Sequence, residues 1–191
     1  MADSFQPGGR APAPEPLDLV QDFENTEIPD FNRDDIATPG ALEEWLRERG
    51  LIGPGDAVDG DVFVAARALR AALRELALAN TLGEPLADGR RAEIDSVLEA
   101  FPLVVRAGSD GPGFAPAGTG ARRGLASLLA VVAAARAGGT WERLKACRQE
   151  TCGWLFYDVS RNRSSSWCSM QVCGSREKSK AYRHRRSGRT R

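Results

Sequence analysis

The 191-residue chain lacks several features on which common functional classes depend. It has a single histidine, and no glycine-rich phosphate loop, Ser/His/Asp set or paired carboxylates can be recognised, so we expect that it is not an enzyme. Its longest apolar stretch, residues 125–135, is shorter than the roughly 18 residues that span a membrane. The N-terminal residues lack the basic start and apolar block of a signal peptide. A cytoplasmic location, with no membrane partner, is therefore expected.

The formal net charge is zero, but the two parts of the chain carry opposite charges. Residues 1–140 contain 13 Lys and Arg against 22 Asp and Glu, whereas residues 141–191 contain 13 against 4. A basic C-terminal part of this kind suggests a polyanionic partner such as DNA. The alternatives are a solvated tail, or a tail that docks on the acidic body of the same chain.

Hydrophobic periodicity predicts an α+β fold that is mostly α, with a helical N-terminal body over residues 17–139. Residues 1–16 are rich in Pro and Gly and predict a disordered leader. The segment 17–26 fits either a short strand or a helix start. One helix is predicted from Thr38–Pro39 to Gly50, and another from Asp61 to about Asn80, with Arg67, Arg70 and Arg74 on the polar side of the second. Further helices are predicted from about Arg90 to Ala100, with Asp88 as the cap, and over residues 121–137.

Two further elements are predicted around the last of these helices. The turn sequence SDGPG before Phe114 indicates a small β-hairpin. After Gly138 and Gly139, which we interpret as the boundary between body and tail, Thr140 is expected to cap a short turn, WERLKAC.

All four cysteines lie within 27 residues, in the pattern C-x4-C, fifteen residues, C-x4-C: Cys147, Cys152, Cys168 and Cys173. Thiols stay reduced in the cytoplasm, and two close pairs are a usual way to hold zinc, so we interpret them as ligands of one structural Zn²⁺. Four protein ligands leave no open position for a catalytic water. Idle buried thiols and a redox-switched cluster are the alternatives.

The residues between and after the cysteine pairs predict a compact finger that ends in a basic helix. GWLFYD at 153–158 is typical of a strand and SRNRSSS at 160–166 of a turn, and residues 169–186 would form a helix with a basic strip. Residues 187–191 are predicted to be a disordered basic tail. The candidate nucleic-acid contacts are Arg161, Arg163, Arg176, Lys178, Lys180, Arg183, Arg185 and Arg186. A module that binds an acidic protein partner is the alternative.

The tract from Leu144 to Arg186 resembles the CGNR zinc finger, a C-terminal module of bacterial, often actinobacterial, regulators, and we place the finger at residues 140–186. The resemblance covers both cysteine pairs, the LFYD strand, the SRNR turn, the WCSM segment and the final C-G-x-R-x-K. The Asn of the Cys-Gly-Asn-Arg motif is replaced here by Ser175. Ser and Asn both suit a helix cap or tight turn, so the fold is expected to survive this change.

The body resembles the ABATE domain that usually precedes this finger. LDLVQDFENT matches the opening of that domain, with Asn25-Thr26 at its Asn-Thr signature. The resemblance implies a stress-linked transcription regulator whose finger binds DNA and whose body senses a ligand or partner. Asp22, Asn25 and Thr26, together with Glu24, are the candidate ligand pocket; the alternative is that they form caps and turns around the helical core.

Overall fold

The computed structural model describes residues 6–109 and 111–187, which form a helical body followed by a small finger. The mostly helical α+β architecture predicted from the sequence is confirmed. In these two ranges the helices are α1 (Leu17–Glu24), α2 (Pro39–Glu48), α3 (Gly60–Leu82), α4 (Asp88–Leu98), α5 (Gly120–Ala137) and α6 (Ser175–Ser187). The antiparallel strand pairs are β1 (Glu27–Ile28) with β2 (Arg33–Asp34), β3 (Leu103–Gly108) with β4 (Gly111–Pro116), and β5 (Leu144–Ala146) with β6 (Leu155–Tyr157).

Local signals explain where several of these elements begin. Thr38 caps α2 by accepting a hydrogen bond from the backbone of Ala41, as predicted, and Asp59 caps α3 in the same way. Asp88 is not a cap, because it is the first residue of α4 itself. Within the segment 17–26, Leu17–Glu24 forms a helix rather than a strand, since Leu17, Val20 and Phe23 together make one buried face, and Asn25 and Thr26 lie in the turn that follows. No helix in the part of the chain that the structure describes is long and apolar enough to cross a membrane.

One hydrophobic core runs through the body and into the finger. Strand β5 packs along α3, and its Leu144 and Ala146 are buried in the same cluster as the helical side chains. Leu155 of β6 joins this cluster from the neighbouring strand. The glycine pair at 138–139 ends α5, but the hydrophobic core continues past it. Other buried members of the cluster are Phe23, Leu69, Leu73, Leu125, Leu128 and Trp141.

The prediction of a disordered leader is wrong over residues 6–16. This segment contains a short 3-10 helix, Pro7–Gly9, and leads directly into α1. Gln6 and Ala13 are buried, and the side chain of Gln21 in α1 donates to Gln6 Oε1 and accepts from the Ala13 amide. The segment is thus ordered by polar partners that α1 supplies, although it has few apolar side chains. Residues 1–5 lie outside the described residues.

Candidate metal centre and basic helix

The β5–β6 hairpin and the turn before α6 bring the four cysteines together. All four are buried free thiols whose Sγ atoms lie within 4.8 Å of one another. Sγ of Cys168 lies 3.6 Å from that of Cys152 and 3.7 Å from that of Cys173. Four sulfur ligands at about 2.3 Å from a tetrahedral Zn²⁺ would be about 3.8 Å apart. The donor set and its spacing therefore fit one zinc ion, as the sequence predicted.

The electrostatics of the cluster also favour a cation at its centre. Hydrogen bonds with Cys152 and Cys168 lower the pKa of the Cys147 thiol to about 2. The hydrogen bond with Cys147 in turn raises the pKa of Cys152 to about 12, and the pKa of Cys168 is also raised, chiefly by Cys147. Thiol donors can thus stabilise one thiolate, whereas further deprotonation brings like charges together. A divalent cation relieves this repulsion and allows all four sulfurs to bind as thiolates.

Asp158 of the LFYD motif organises the loop between the two cysteine pairs. Its buried carboxylate accepts hydrogen bonds from Lys145 Nζ at 3.0 Å and from the amides of Ser160 and Ser165 at 3.0 and 2.9 Å. Burial acts to raise the pKa of Asp158, but hydrogen bonds from Ser160, Lys145 and Ser165 outweigh it and hold that pKa below its usual range. The loop that this ion pair fixes presents Arg161 and Arg163 to solvent.

Asn25, which we placed in a candidate pocket, fastens α1 to the finger. Its side-chain amide accepts from the Leu155 amide at 2.8 Å and donates to the Leu155 carbonyl at 2.9 Å, as a neighbouring strand would. Thr26 is buried and accepts a hydrogen bond from Arg70 at 2.9 Å. Asp22 lies elsewhere, 4.0 Å from a guanidinium nitrogen of Arg49. The three predicted pocket residues therefore point to three different neighbours.

A buried ion cluster lies behind the turn that follows α1, and the hydrophobic pattern of the sequence does not predict it. Arg70 is only 2% exposed and forms two hydrogen bonds to Asp34, at 2.8 and 2.7 Å. Arg74 binds the Glu27 carboxylate at 2.8 Å and lies 3.5 Å from that of Glu24. The sequence signal for this cluster was the combination of several acids near Asn25 with arginines at helical spacing on α3. Periodicity alone placed these arginines on a polar side, and Arg70 is instead buried.

Glu24 is the unusual member of this ion cluster. Its side chain is fully buried, and neither carboxylate oxygen has a hydrogen-bond partner among the described residues. Burial raises the pKa of Glu24 to about 8, although the charges of Arg74 and Arg70 act to lower it. Burial therefore opposes the ionisation of Glu24, which lies directly before the turn that contacts the finger.

Helix α6 begins two residues after the last cysteine and carries a row of exposed cations. Arg176, Lys178, Lys180 and Arg183 are all exposed. Arg176 also forms an ion pair with Asp30 of the body, whose other carboxylate oxygen accepts from the Thr151 hydroxyl at 2.7 Å. The side chains of Arg185 and Arg186, and residues 188–191 of the predicted disordered tail, lie outside those that the structure describes. Ser187, the first residue of that predicted tail, is the last residue of α6.

Ser175, the departure from the CGNR motif, occupies the first position of α6. Its hydroxyl donates to the carbonyl of Met170 at 3.2 Å, across the single turn Met170–Gly174 that carries the last cysteine. The residue thus stabilises the junction between the turn and the helix, which is the local role expected of a small polar side chain.

Comparison with known families finds two matches that follow each other along the chain. The ABATE model, described as "Putative stress-induced transcription regulator", matches residues 17–138, and the CGNR zinc finger model matches residues 143–186. No curated protein matches the chain. Both resemblances inferred from the sequence are confirmed, and the ordered residues 6–16 precede both matches. The chain therefore belongs to the ABATE family and carries a CGNR zinc finger as its C-terminal part.

Proposed function

We propose that this protein is a transcription regulator that binds DNA through its zinc finger and α6, while the ABATE body senses a ligand or partner. The observation that carries the proposal is the row of exposed cations on α6 directly after the last cysteine. The family description supports transcription regulation as the general role. Contact with DNA is the mechanism that the charge of the finger favours.

The metal centre would serve this function by fixing where α6 begins. Cys147, Cys152, Cys168 and Cys173 would hold one Zn²⁺, which supplies a cross-link between the β5–β6 hairpin and the start of the helix. With four protein ligands the site is closed, so we propose that it is structural and that the protein is not an enzyme. Cys173 is two residues from α6, so holding its sulfur in place also orients the helix.

One face of α6 has the composition of a nucleic-acid surface. Arg176, Ser179 and Arg183 lie three and four residues apart and line an open groove together with Gln171 and Val172. Guanidinium groups bind phosphates with two hydrogen bonds, whereas amide and hydroxyl groups such as those of Gln171 and Ser179 can read base edges. The flanking cations that complete the proposed surface are Arg161, Arg163, Lys178, Lys180, Arg185 and Arg186.

Binding of the full-length, zinc-loaded protein to a random-sequence duplex, measured by fluorescence anisotropy over a range of salt concentrations, tests this proposal. The variant R176A/R183A should bind more weakly, and the slope of log K against log salt should fall by about one for each phosphate that the variant no longer neutralises. A matched control is R106A/R122A, which removes two exposed arginines from the body. Absence of wild-type binding at low salt, or equally weakened binding in both variants, would contradict DNA binding.

A second candidate function is a zinc-dependent module that binds an acidic protein. The observation in its favour is that Met170, Val172 and Tyr182 are 52%, 49% and 57% exposed beside the cations of α6. Apolar side chains mixed with cations suit an acidic amphipathic partner better than a phosphate backbone. If this function is correct, R176A/R183A should bind the acidic protein more weakly than wild type does. Excess DNA should not displace the acidic protein from wild type.

A further inference from the structure

Residues 6–13, here called the N-terminal strap, precede both family matches and contact the second cysteine pair. The Arg10 guanidinium donates from Nε to the carbonyl of Cys168 and from a terminal nitrogen to the carbonyl of Trp167, both at 2.8 Å. The same guanidinium lies over the ring of Phe156 in β6, 4.5 Å from its centroid. One side chain therefore touches both halves of the finger.

The backbone of the strap is also in close contact with the finger. Gly8 has a φ of 71°, and a Cβ added there would come within 3.3 Å of Ser169, the residue after the third cysteine. Gly9 also has a positive φ, of 65°, but a Cβ there would have no neighbour within 4 Å. Of these two glycines, only Gly8 is therefore packed against the second cysteine pair.

Both ends of the strap are fastened to α1. Gln21 Nε2 donates to Gln6 Oε1 at 2.9 Å and to the carbonyl of Leu155 at 3.2 Å, while its Oε1 accepts from the Ala13 amide at 2.7 Å. The amide group of Gln21 is buried at the meeting point of strap, body and β6. A strap held at both ends can hold a third element in place between them.

We infer that Arg10 is a positioning residue of the metal centre and that the strap is a third structural part of the finger. The guanidinium fork binds the carbonyls of Trp167 and Cys168, which lie on either side of the Cα of Cys168, and so fixes the backbone that carries a zinc ligand. It also places a positive charge beside a centre that four thiolates make negative. The strap thereby slows loss of the metal and holds residues 167–169, which lead towards α6, against β6, whether or not the finger binds DNA.

The test is the rate at which full-length, zinc-loaded protein releases Zn²⁺ to a chromogenic chelator in excess. R10A should release zinc at least about tenfold faster than wild type, since outer partners of metal ligands typically contribute 10- to 100-fold to affinity. Lys at this position keeps the charge but cannot span both carbonyls, so R10K should restore the rate only in part. The visible bands of the Co²⁺-loaded protein should shift in R10A, because the sulfur of Cys168 is no longer held in place.

The chain offers a matched control. Arg49 lies over the ring of Trp45 at 4.1 Å and donates to the Trp45 carbonyl, so R49A removes a stacked arginine of the same kind away from the finger. R49A should release zinc at the wild-type rate and leave the Co²⁺ bands unchanged. If R10A releases zinc no faster than R49A, the inference is overturned.

A second pair of variants tests the strap without removing Arg10. Both G8A and G9A place an alanine at a positive φ, but only G8A introduces a Cβ against Ser169. G8A should release zinc faster than G9A by several fold. Equal rates for the two glycine variants would contradict a role of the strap in holding the second cysteine pair.

Discussion

Replacement of Glu24 by Gln should change how the stability of the protein depends on pH. Glu24 is fully buried, its carboxylate lacks hydrogen-bond partners among the described residues, and burial raises its pKa to about 8. Gln has nearly the same shape and cannot ionise. The variant E24Q therefore removes the ionisation while keeping the packing behind the turn that holds the finger.

The magnitude follows from the difference between folded and unfolded pKa values. Each pKa unit corresponds to about 1.4 kcal/mol, so a shift from 4.5 to about 8 costs about 5 kcal/mol once Glu24 is fully ionised. The folded state holds this proton more tightly than the unfolded state, so stability falls as pH rises from the unfolded value through the folded value. Between about pH 6 and about pH 9 the wild type should lose about 3 kcal/mol relative to E24Q.

Denaturant unfolding of the zinc-loaded proteins, followed by tryptophan fluorescence at several pH values, measures this difference. The other titrating groups, including the cysteines, are common to both proteins and cancel in the comparison. E44Q is a matched control, since Glu44 is an exposed residue on α2. If the free energies of unfolding of E24Q and wild type differ by a constant amount across this pH range, as expected for E44Q, Glu24 does not change its ionisation there and the reasoning fails.

Two further predictions concern the finger. Cys173→Ser should lower the bound zinc, measured by elemental analysis, from about one ion per chain towards zero, and should lower the helix signal in circular dichroism because the start of α6 is released. The control is Ser96→Ala, which changes an exposed residue of α4. Full zinc in Cys173→Ser would contradict the four-cysteine site. Asp158→Asn should destabilise the finger by about 3–5 kcal/mol, because it leaves Lys145 buried without its counter-charge. The stability that Asp158 contributes in the wild type is present above the unfolded pKa of an aspartate and is lost as pH falls through its lowered folded pKa. The destabilisation in the variant should therefore shrink in acid. A pH-independent effect, or an equal effect in the exposed control Asp95→Asn, would refute the role of the Lys145–Asp158 pair.

The features that the sequence predicted are those with strong local signals. Caps and apolar spacing located α2 and α3, and the cysteine spacing located the metal centre. For the residues of strand β5 the sequence predicts only part of a short turn, because three residues have no periodicity of their own. Those residues form a strand since they pair with β6 and pack on α3.

The features that were missed depend on partners distant in the sequence. The composition of the strap predicts disorder, and its order comes from Gln21 and from carbonyls about 157 residues away along the chain. The sequence predicts Arg70 on a polar side of α3, because a helix with arginines at that spacing normally exposes them. Its burial depends on Asp34, which reaches it only once the β1–β2 turn has formed.

The continuous core described for the body and the finger has a consequence for protein engineering. Leu144, Ala146 and Leu155 of the finger are buried by the helices of the body, so a finger transferred alone to another protein would expose an apolar face to water. A functional chimera would need α1, α3 and the strap to be transferred with it, or a recipient helix redesigned to match β5. The unit that can be exchanged between proteins is therefore larger than the stretch that contains the four cysteines.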